Sequence, residues 1–425
     1  MERDRPAFLC HHCGTLHGVR RLPFGVTASC RTCGAVLYRE RRSSVERTLA
    51  LTLAAAVLFV VAHAFPFLTF SMEGSTRSGT ILGSAAALWA DDSWALAVVV
   101  VMLVTVIPLG KLGLELWVLL PLWKGRVAPG TFRLFAFADK SKTWAMTEVY
   151  LLAVLVAYVK LSDLASITVG PALWAFAGLI LCLAAADNIL DRRAVWWRLQ
   201  PQNTMGALGR PNRVVAACHT CDQVVALPDD GHGYRCPRCT AVLHARKPRA
   251  LARSWALLLA AAVLYVPANI LPVMTVTSFG RAQADTILSG VIALVEAGML
   301  PVALLVFFAS VTVPLLKLVG LGFLLVSVQL GWTGKRRDRT RLYRIIEQVG
   351  RWSMIDIFMI AILAVLVDLG EIARIEPGPG ALAFAAVVVL TMLAARAFEP
   401  RLIWDRPPIS TKKASADGEP LRHPA

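Results

Sequence analysis

Long apolar runs separated by short charged stretches set the pattern of this chain. Eight runs, at about 48–70, 94–120, 143–161, 171–190, 254–276, 300–330, 352–370 and 380–398, carry almost no charge. About 20 helical residues cross the roughly 30 Å hydrocarbon core of a bilayer, so each run predicts a membrane-spanning helix. Backbone groups inside hydrocarbon must be paired within the segment, which favours helices over open strands. The expected fold class is an all-α polytopic membrane protein with eight transmembrane helices. Two intervening stretches, "TILGSAAALWADD" and "TILSGVIALVEAG", are too short and too weakly apolar to cross, and predict short interfacial or re-entrant helices. Ahead of the seventh run, "RTRLYRIIEQVGRW" has the basic amphipathic pattern of a helix lying along a membrane surface.

Composition supports this reading and excludes a string of soluble domains: hydrophobic residues are 56%, charged residues 17% and mean hydropathy is +0.60. The first run follows 47 polar residues rich in Arg and Cys, which is not the pattern of a cleaved signal peptide.

A net charge of +16 would suit nucleic acid, but its distribution points elsewhere. Nine Lys/Arg precede the first run, five lie between the second and third, eleven between the fourth and fifth, seven between the sixth and seventh, and six from Arg396 onward. The alternate loops carry one each: Arg77, Lys160, Arg281 and Arg374. That asymmetry is the positive-inside pattern of a chain with both termini in the cytoplasm. Attraction to anionic lipid on that face is a secondary consequence.

The compartment decides how the cysteines are read. Cys10, Cys13, Cys30 and Cys33 form two Cys-x-x-Cys knuckles sixteen residues apart. Cys218, Cys221, Cys236 and Cys239 repeat the arrangement with a fourteen-residue spacer. Structural disulfides are rare in a reducing compartment. Two knuckles of two thiolates suit a tetrahedral Zn²⁺ with no open position, so two structural zinc ions are expected. A mononuclear iron site and labile redox thiols are the alternatives. His11, His12 and His17 are spare donors, read more simply as loop decoration. Cys182, inside the fourth run, reads as a small core residue.

The second half of the chain restates the first. An offset of 206 carries Phe65-Pro66 onto Leu271-Pro272, Thr80-Ile81-Leu82 onto Thr286-Ile287-Leu288, Pro108 onto Pro314 and Lys111 onto Lys317. An offset of 208 carries Trp144 onto Trp352 and Glu148 onto Asp356. Each unit is expected to be a small zinc ribbon of short strands followed by a four-helix transmembrane bundle. Four spans return the chain to its starting side, so the repeats are parallel. The expected boundaries are 1–44 and 210–249 for the ribbons, 45–200 and 250–405 for the bundles, and 406–425 for a disordered cytoplasmic tail.

Ionisable residues inside spans are costly and point to function. Lys317 follows Pro314 in the sixth span and Ser310 lies seven residues earlier on the same predicted face. With Asp356 in the seventh span and Thr391 in the eighth, these residues predict a polar cluster inside the second bundle. The competing reading has Lys317 reaching the headgroups and Asp356 pairing with Arg351. Lys111, Glu115 and Glu148 form the corresponding set in the first bundle, where Lys111 and Glu115 are spaced to neutralise each other. His63 and Asn269, each shortly before a proline, read as caps for interrupted backbone. No nucleophile–base pairing, Walker loop or HExxH is present, so no enzyme is expected.

Duplicated Cys-x-x-Cys ribbons, four spans per unit, the Phe65-Pro66 end of the first span and the Pro-x-x-Lys of Pro108–Lys111 and Pro314–Lys317 together resemble the paraquat-inducible protein A family. The resemblance covers residues 8 to about 405. It implies a Gram-negative inner-membrane protein working with a periplasmic MCE-domain tunnel protein. The implied task is moving phospholipids between the two membranes, in support of envelope integrity. A membrane anchor or scaffold for that tunnel, and a redox or quinone-linked stress protein, are the alternative classes. Intramembrane charge favours transport over an anchor, and the absence of His pairs in the spans gives quinone chemistry no footing. The second half carries more of the polar features, Thr391 standing where the first half has Leu181-Cys182-Leu183.

Overall fold

Proline and hydropathy together set where the first helix stops. Helix α1, Ser44–Ala64, ends two residues before Pro66, and α7, Ala250–Ile270, ends just before Leu271-Pro272. The residue before a proline is pushed out of the helical region. The chain then turns extended: β5 (Leu68–Met72) and β12 (Met274–Ser278) occupy residues that the apolar pattern assigned to the ends of spans. Apolar content alone does not separate the last turn of a helix from a strand that follows it.

The structure is a computed structural model that describes residues 7–18, 22–23, 25–39, 44–72, 75–90, 94–127, 130–141, 150–155, 158, 166–199, 215–227, 234–278, 281–296, 298–349, 358, 362 and 373–405. The runs at 143–161 and 352–370 lie largely outside these residues. Of the former, residues 150–155 are helical. Six helices are long and apolar enough to cross a membrane: α1, α3 (Trp94–Trp123), α5 (Pro171–Ile189), α7, α9 (Leu300–Gln329) and α11 (Pro379–Ala397). At about 1.5 Å per residue, the 30-residue α3 and α9 are about 45 Å long, more than the hydrocarbon core requires. The short apolar stretches are ten-residue helices, α2 (Ile81–Ala90) and α8 (Ile287–Glu296). Two polar amphipathic helices, α4 (Thr131–Ser141) and α10 (Arg336–Val349), and the short α6 (Arg192–Leu199) lie between the longer ones.

Strands form two kinds of sheet. Eight short strands make four hairpins: β1 (Ala7–Leu9) with β2 (Leu16–Gly18), β3 (Thr27–Ser29) with β4 (Val36–Arg39), β8 (Val215–Ala217) with β9 (Val224–Ala226), and β10 (Tyr234–Arg235) with β11 (Val242–Leu243). These are the expected ribbons. The opposite ends of α1 and α7 carry three-stranded antiparallel sheets that an all-α expectation lacks. In each, the first strand pairs with its hairpin neighbour, β6 (Ser75–Gly79) or β13 (Arg281–Asp285). Its other edge takes a strand from just before the last span of the repeat, β7 (Ser166–Val169) or β14 (Ala373–Pro377).

Glycine makes the last joint of each sheet possible. Gly170 donates to the Phe67 carbonyl at 3.0 Å and Gly378 to the Val273 carbonyl at 2.8 Å. A Cβ at Gly170 would collide with the Pro66 carbonyl oxygen, and one at Gly378 with that of Pro272. Pro171 and Pro379 then open α5 and α11, where a missing amide costs nothing. Through this joint α1 packs along α5 and α7 along α11. One apolar core joins both repeats, with Tyr150 placing its ring 5.5 Å from both Phe176 and Phe358.

Candidate metal centres and intramembrane polar clusters

Each ribbon hairpin turns over a Cys-x-x-Cys knuckle by one shared backbone device. The residue after the second cysteine takes a positive φ: Gly14 at +75°, Gly34 at +70°, Asp222 at +57° and Thr240 at +59°. Its amide donates to the carbonyl of the first cysteine, at 2.8 to 3.0 Å in all four knuckles. The amide of that cysteine in turn donates to the residue five further on, as Cys10 does to Thr15 and Cys218 to Gln223. The turn sends both thiols to one side of the chain.

The thiols converge four by four. Within each set the Sγ atoms all lie within 4.8 Å of one another. Cys10–Cys33 and Cys13–Cys30 are 3.6 and 3.5 Å apart, and Cys218–Cys239 and Cys221–Cys236 are 3.4 and 3.5 Å apart. A tetrahedron with bonds of about 2.3 Å has edges of about 3.8 Å, so each cluster fits one metal ion. A disulfide needs about 2.05 Å, and all nine cysteines are free thiols. The second cluster is buried throughout, whereas Cys13 leaves the first partly open.

Two of the spare histidines have definite tasks. His17 Nε2 lies 3.2 Å from Cys30 Sγ, and His11 Nε2 meets Asp222 Oδ1 at 2.7 Å, tying the ribbons together. Burial, and then the charge of Arg344, pushes the His12 imidazole down to about 4; burial, and then Arg401, does the same to His219. Both are neutral near pH 7.

The ribbons dock crosswise, which tandem units do not imply. Arg344 and Arg337 of α10, in the second repeat, donate to the Cys33 and Thr32 carbonyls of the first ribbon at 2.8 and 2.7 Å. The second ribbon buries its four cysteines in one cluster with Val118, Leu122, Phe135 and Trp196 of the first repeat. Arg238 adds a cation–π contact at 5.5 Å from the Trp196 ring. Helix α10 is therefore not simply laid on a membrane surface. It turns Thr340, Tyr343 and Ile346 into the bundle while its arginines hold a ribbon.

Residues 396–405 close the assembly on the ribbon side. Arg401 and Glu399, each about 1% exposed, form a two-point ion pair at 2.7 and 3.0 Å. Lys247 Nζ donates to the Arg396 and Phe398 carbonyls at the end of α11, and Arg246 grips Asp405 through two bonds. Burial pushes the Glu399 carboxyl up, but the Arg401 hydrogen bond and charge, with Lys247 and His219, hold it below its usual value.

Inside the spans the repeats differ. Lys317 is buried and its Nζ donates to Thr391 Oγ1 at 3.3 Å. Ser310 donates to the Val306 carbonyl at 2.6 Å within a π-helical turn, Phe308–Thr312. That turn contains Ser310 and runs on toward Lys317, so it alters the regular seven-residue spacing on which their shared face was predicted. Asp356 and Glu148 lie outside the described residues. In the first repeat Lys111 meets Glu115 at 3.7 Å, as its spacing predicts, and also Asp187 of α5 at 3.0 Å. Asp187 was missed, although an ionisable residue near the end of the fourth run was open to the same argument as Lys111. The equivalent π turn, Val101–Val106, places Thr105 Oγ1 3.1 Å from His63 Nε2, and Tyr265 donates to the Val311 carbonyl at 3.4 Å. His63 and Tyr265 thus bridge the first span to the π turn, while Asn269 bonds only one turn back, to the Tyr265 carbonyl at 2.8 Å.

Comparison with known proteins follows the same two-part layout. A family model described as paraquat-inducible protein A matches residues 45–200 and 251–407. The chain is 35% identical over 423 residues to intermembrane transport protein PqiA of Escherichia coli K12, covering 96% of this chain and 97% of that one. It is 30% identical over 397 residues to lipophilic envelope-spanning tunnel protein A of the same strain, covering 93% and 90%. A probable intermembrane transport protein of Haemophilus influenzae is 30% identical over 387 residues, covering 89% and 90%. No solved structure matches the chain.

Proposed function

This chain belongs to the paraquat-inducible protein A family, and we propose that it is an inner-membrane subunit of an intermembrane phospholipid transport system. In this reading it exchanges lipid with a separate, periplasm-spanning MCE-domain tunnel protein and supports the envelope barrier. Eight spans in two parallel repeats keep both ribbons and both termini in the cytoplasm, and the three-stranded sheets face the periplasm. The relatives' names for transport between membranes support the task, and the asymmetric Lys/Arg content of the loops supports the orientation. The protein acts as a carrier and not as an enzyme.

The observation that carries the reading is Lys317, buried beside Thr391 within the span-rich second repeat. Retaining a lysine at such a depth costs at least about 2.5 kcal/mol on insertion scales, and an anchor gains nothing from it. Lys317 and Thr391, with Asp356 as the proposed carboxylate partner and Ser310 in the adjoining π turn, are the working polar cluster. Lys111, Glu115 and Asp187 pair with one another in the first repeat, which favours a structural role there, and Glu148 is assigned to the same set. The two Cys₄ centres hold zinc: a redox-silent ion bound by four thiolates suits folding and docking of the ribbons.

The test is Lys317→Ala and Asp356→Ala in cells whose detergent resistance depends on this protein. Both variants should insert at normal levels yet fail to protect, while co-purifying with the MCE-domain protein as the parent does. Full protection by both would leave the anchor reading in place.

A further inference from the structure

A cavity of about 910 Å³ opens on the ribbon side of the second repeat, where α9 ends and α10 begins. Phe323, Trp332, Lys335, Asp338, Arg339 and Leu342 line it. The connection turns sharply, with Gly331 at φ +63° and Lys335 at +49°.

Arg339 is the unusual group in this cavity. It is 4% exposed, its Nη1 donates to Ser327 Oγ at 3.1 Å, and its Nη2 donates to the Trp332 carbonyl. Its Nε is buried without a hydrogen-bond partner. Both acceptors are neutral, and among the described residues no carboxylate pairs with this guanidinium. Asp338 faces Arg341 at 3.8 Å, and the charge acting on Arg339 is that of Arg336, of the same sign. Burial, and then Arg336, hold its proton affinity below the usual arginine range, as expected of a cation short of a counter-anion. A buried charge left without an opposite charge is strongly unfavourable, so the site is built for an anion.

The rest of the cavity says which anion. Its walls are mainly apolar: the Phe323 and Trp332 rings meet edge to face at 5.9 Å, and Leu342 lies beside them. Lys335 is exposed at the mouth. The cavity begins just beyond the end of α9, whose apolar length reaches Gln329. That is headgroup depth, where Trp and basic side chains concentrate at a membrane boundary. A free inorganic anion would leave the aromatic wall unused.

We propose that this cavity binds one anionic phospholipid of the ribbon-side leaflet, its phosphate held by Arg339 and Lys335 and an acyl chain laid against Phe323, Trp332 and Leu342. Arginine suits this role because its planar fork matches phosphate oxygens two at a time. The lipid would supply the missing counter-anion and stiffen the α9–α10 connection, whose helix also holds the first ribbon. The inference requires that α9 spans a membrane, but not that the protein transports lipid.

The test uses the full chain purified in a neutral detergent, with phosphatidylglycerol or phosphatidylcholine added as mixed micelles and binding followed by native mass spectrometry. One phosphatidylglycerol per chain should be retained at concentrations where phosphatidylcholine is lost. Lys335→Gln should weaken retention about fivefold and Arg339→Gln more than tenfold. If Arg339→Gln does not fold, Lys335→Gln and Trp332→Gln decide the matter, since both side chains are exposed at the cavity's mouth. Equal retention of the two lipids, unchanged retention in those variants, or displacement by millimolar inorganic phosphate would overturn the proposal. Full envelope protection by the Lys317 and Asp356 variants would count against transport and leave this site untouched.

Discussion

Lys111 Nζ stands 3.0 Å from Asp187 Oδ2, joining the long helix α3 to the last span of the first repeat. In the second repeat the equivalent Lys317 reaches the hydroxyl of Thr391. At the positions matching Glu115 and Asp187, offsets of 206 and 208 place Leu321 and Ala395. The repeats therefore share a buried lysine but surround it differently. Asp187→Ala is expected to destabilise the protein by about 3 kcal/mol, the lower end for breaking a buried pair, because Glu115 retains part of the interaction. Thermal unfolding in detergent checks this, and an unchanged midpoint would show that the bridge contributes nothing.

The sheet joint predicts a strong effect from one added methyl group. Gly378→Ala drives a Cβ into the Pro272 backbone carbonyl, which cannot swing aside as a side chain could. A cost of about 1–3 kcal/mol is expected, the range for overpacking a filled site. Gly110→Ala, whose added Cβ meets nothing within 4 Å, is the control and should be neutral or slightly stabilising. Equal unfolding midpoints for the two variants would refute the close approach.

Metal analysis should find two ions per full chain, one for each Cys₄ cluster. The clusters should differ in release. Cys13 is partly exposed, whereas all four thiols of the second cluster are buried, so a metallochromic chelator should strip the ions in a fast and a slow phase. Cys13→Ser should remove the fast phase and leave the slow one. A single phase of two ions would show that burial does not govern release. Because a structural metal ion contributes folding free energy directly, Cys218→Ser should lower the yield of folded protein.

Glu399 predicts a pH dependence of known sign. Its carboxyl is held below the ordinary 4.5 despite burial. The folded state therefore binds fewer protons at this group than the unfolded chain does in that range. The stabilisation is complete above about pH 4.5 and is lost as pH falls through the lower, folded value. Glu399→Gln should cost about 3 kcal/mol at pH 7 by leaving Arg401 buried without its partner. The gap between parent and variant should narrow on acidification toward pH 3, as followed by thermal unfolding. A gap that stays constant would mean that the carboxylate's charge plays no part.

The sequence alone determined the features that depend on local composition. Length of apolar run identified α1, α3, α5, α7, α9 and α11, because spanning hydrocarbon is a matter of how many consecutive residues can enter it. Knuckle spacing identified both sets of four cysteines, since a metal-sized turn is closed within six residues. The internal repeat matches Pro108 to Pro314 and Lys111 to Lys317 by a constant offset along the chain. Tertiary structure decided what depends on partners distant in the chain. Strands β7 and β14 join sheets whose other strands lie about 100 residues earlier, so Phe65–Phe70 could be read as the end of a helix. The joint at Pro66 and Gly170 shows in sequence only as an isolated glycine before a proline. Crosswise docking was hidden for the same reason: Arg344 meets Cys33 across 311 positions, and Asp222 meets His11 across 211. Single side chains such as Arg339 carry no sign of burial in an arginine-rich segment. Their surroundings come from the packing of helices, which the hydropathy pattern permits in many arrangements and only the folded chain selects.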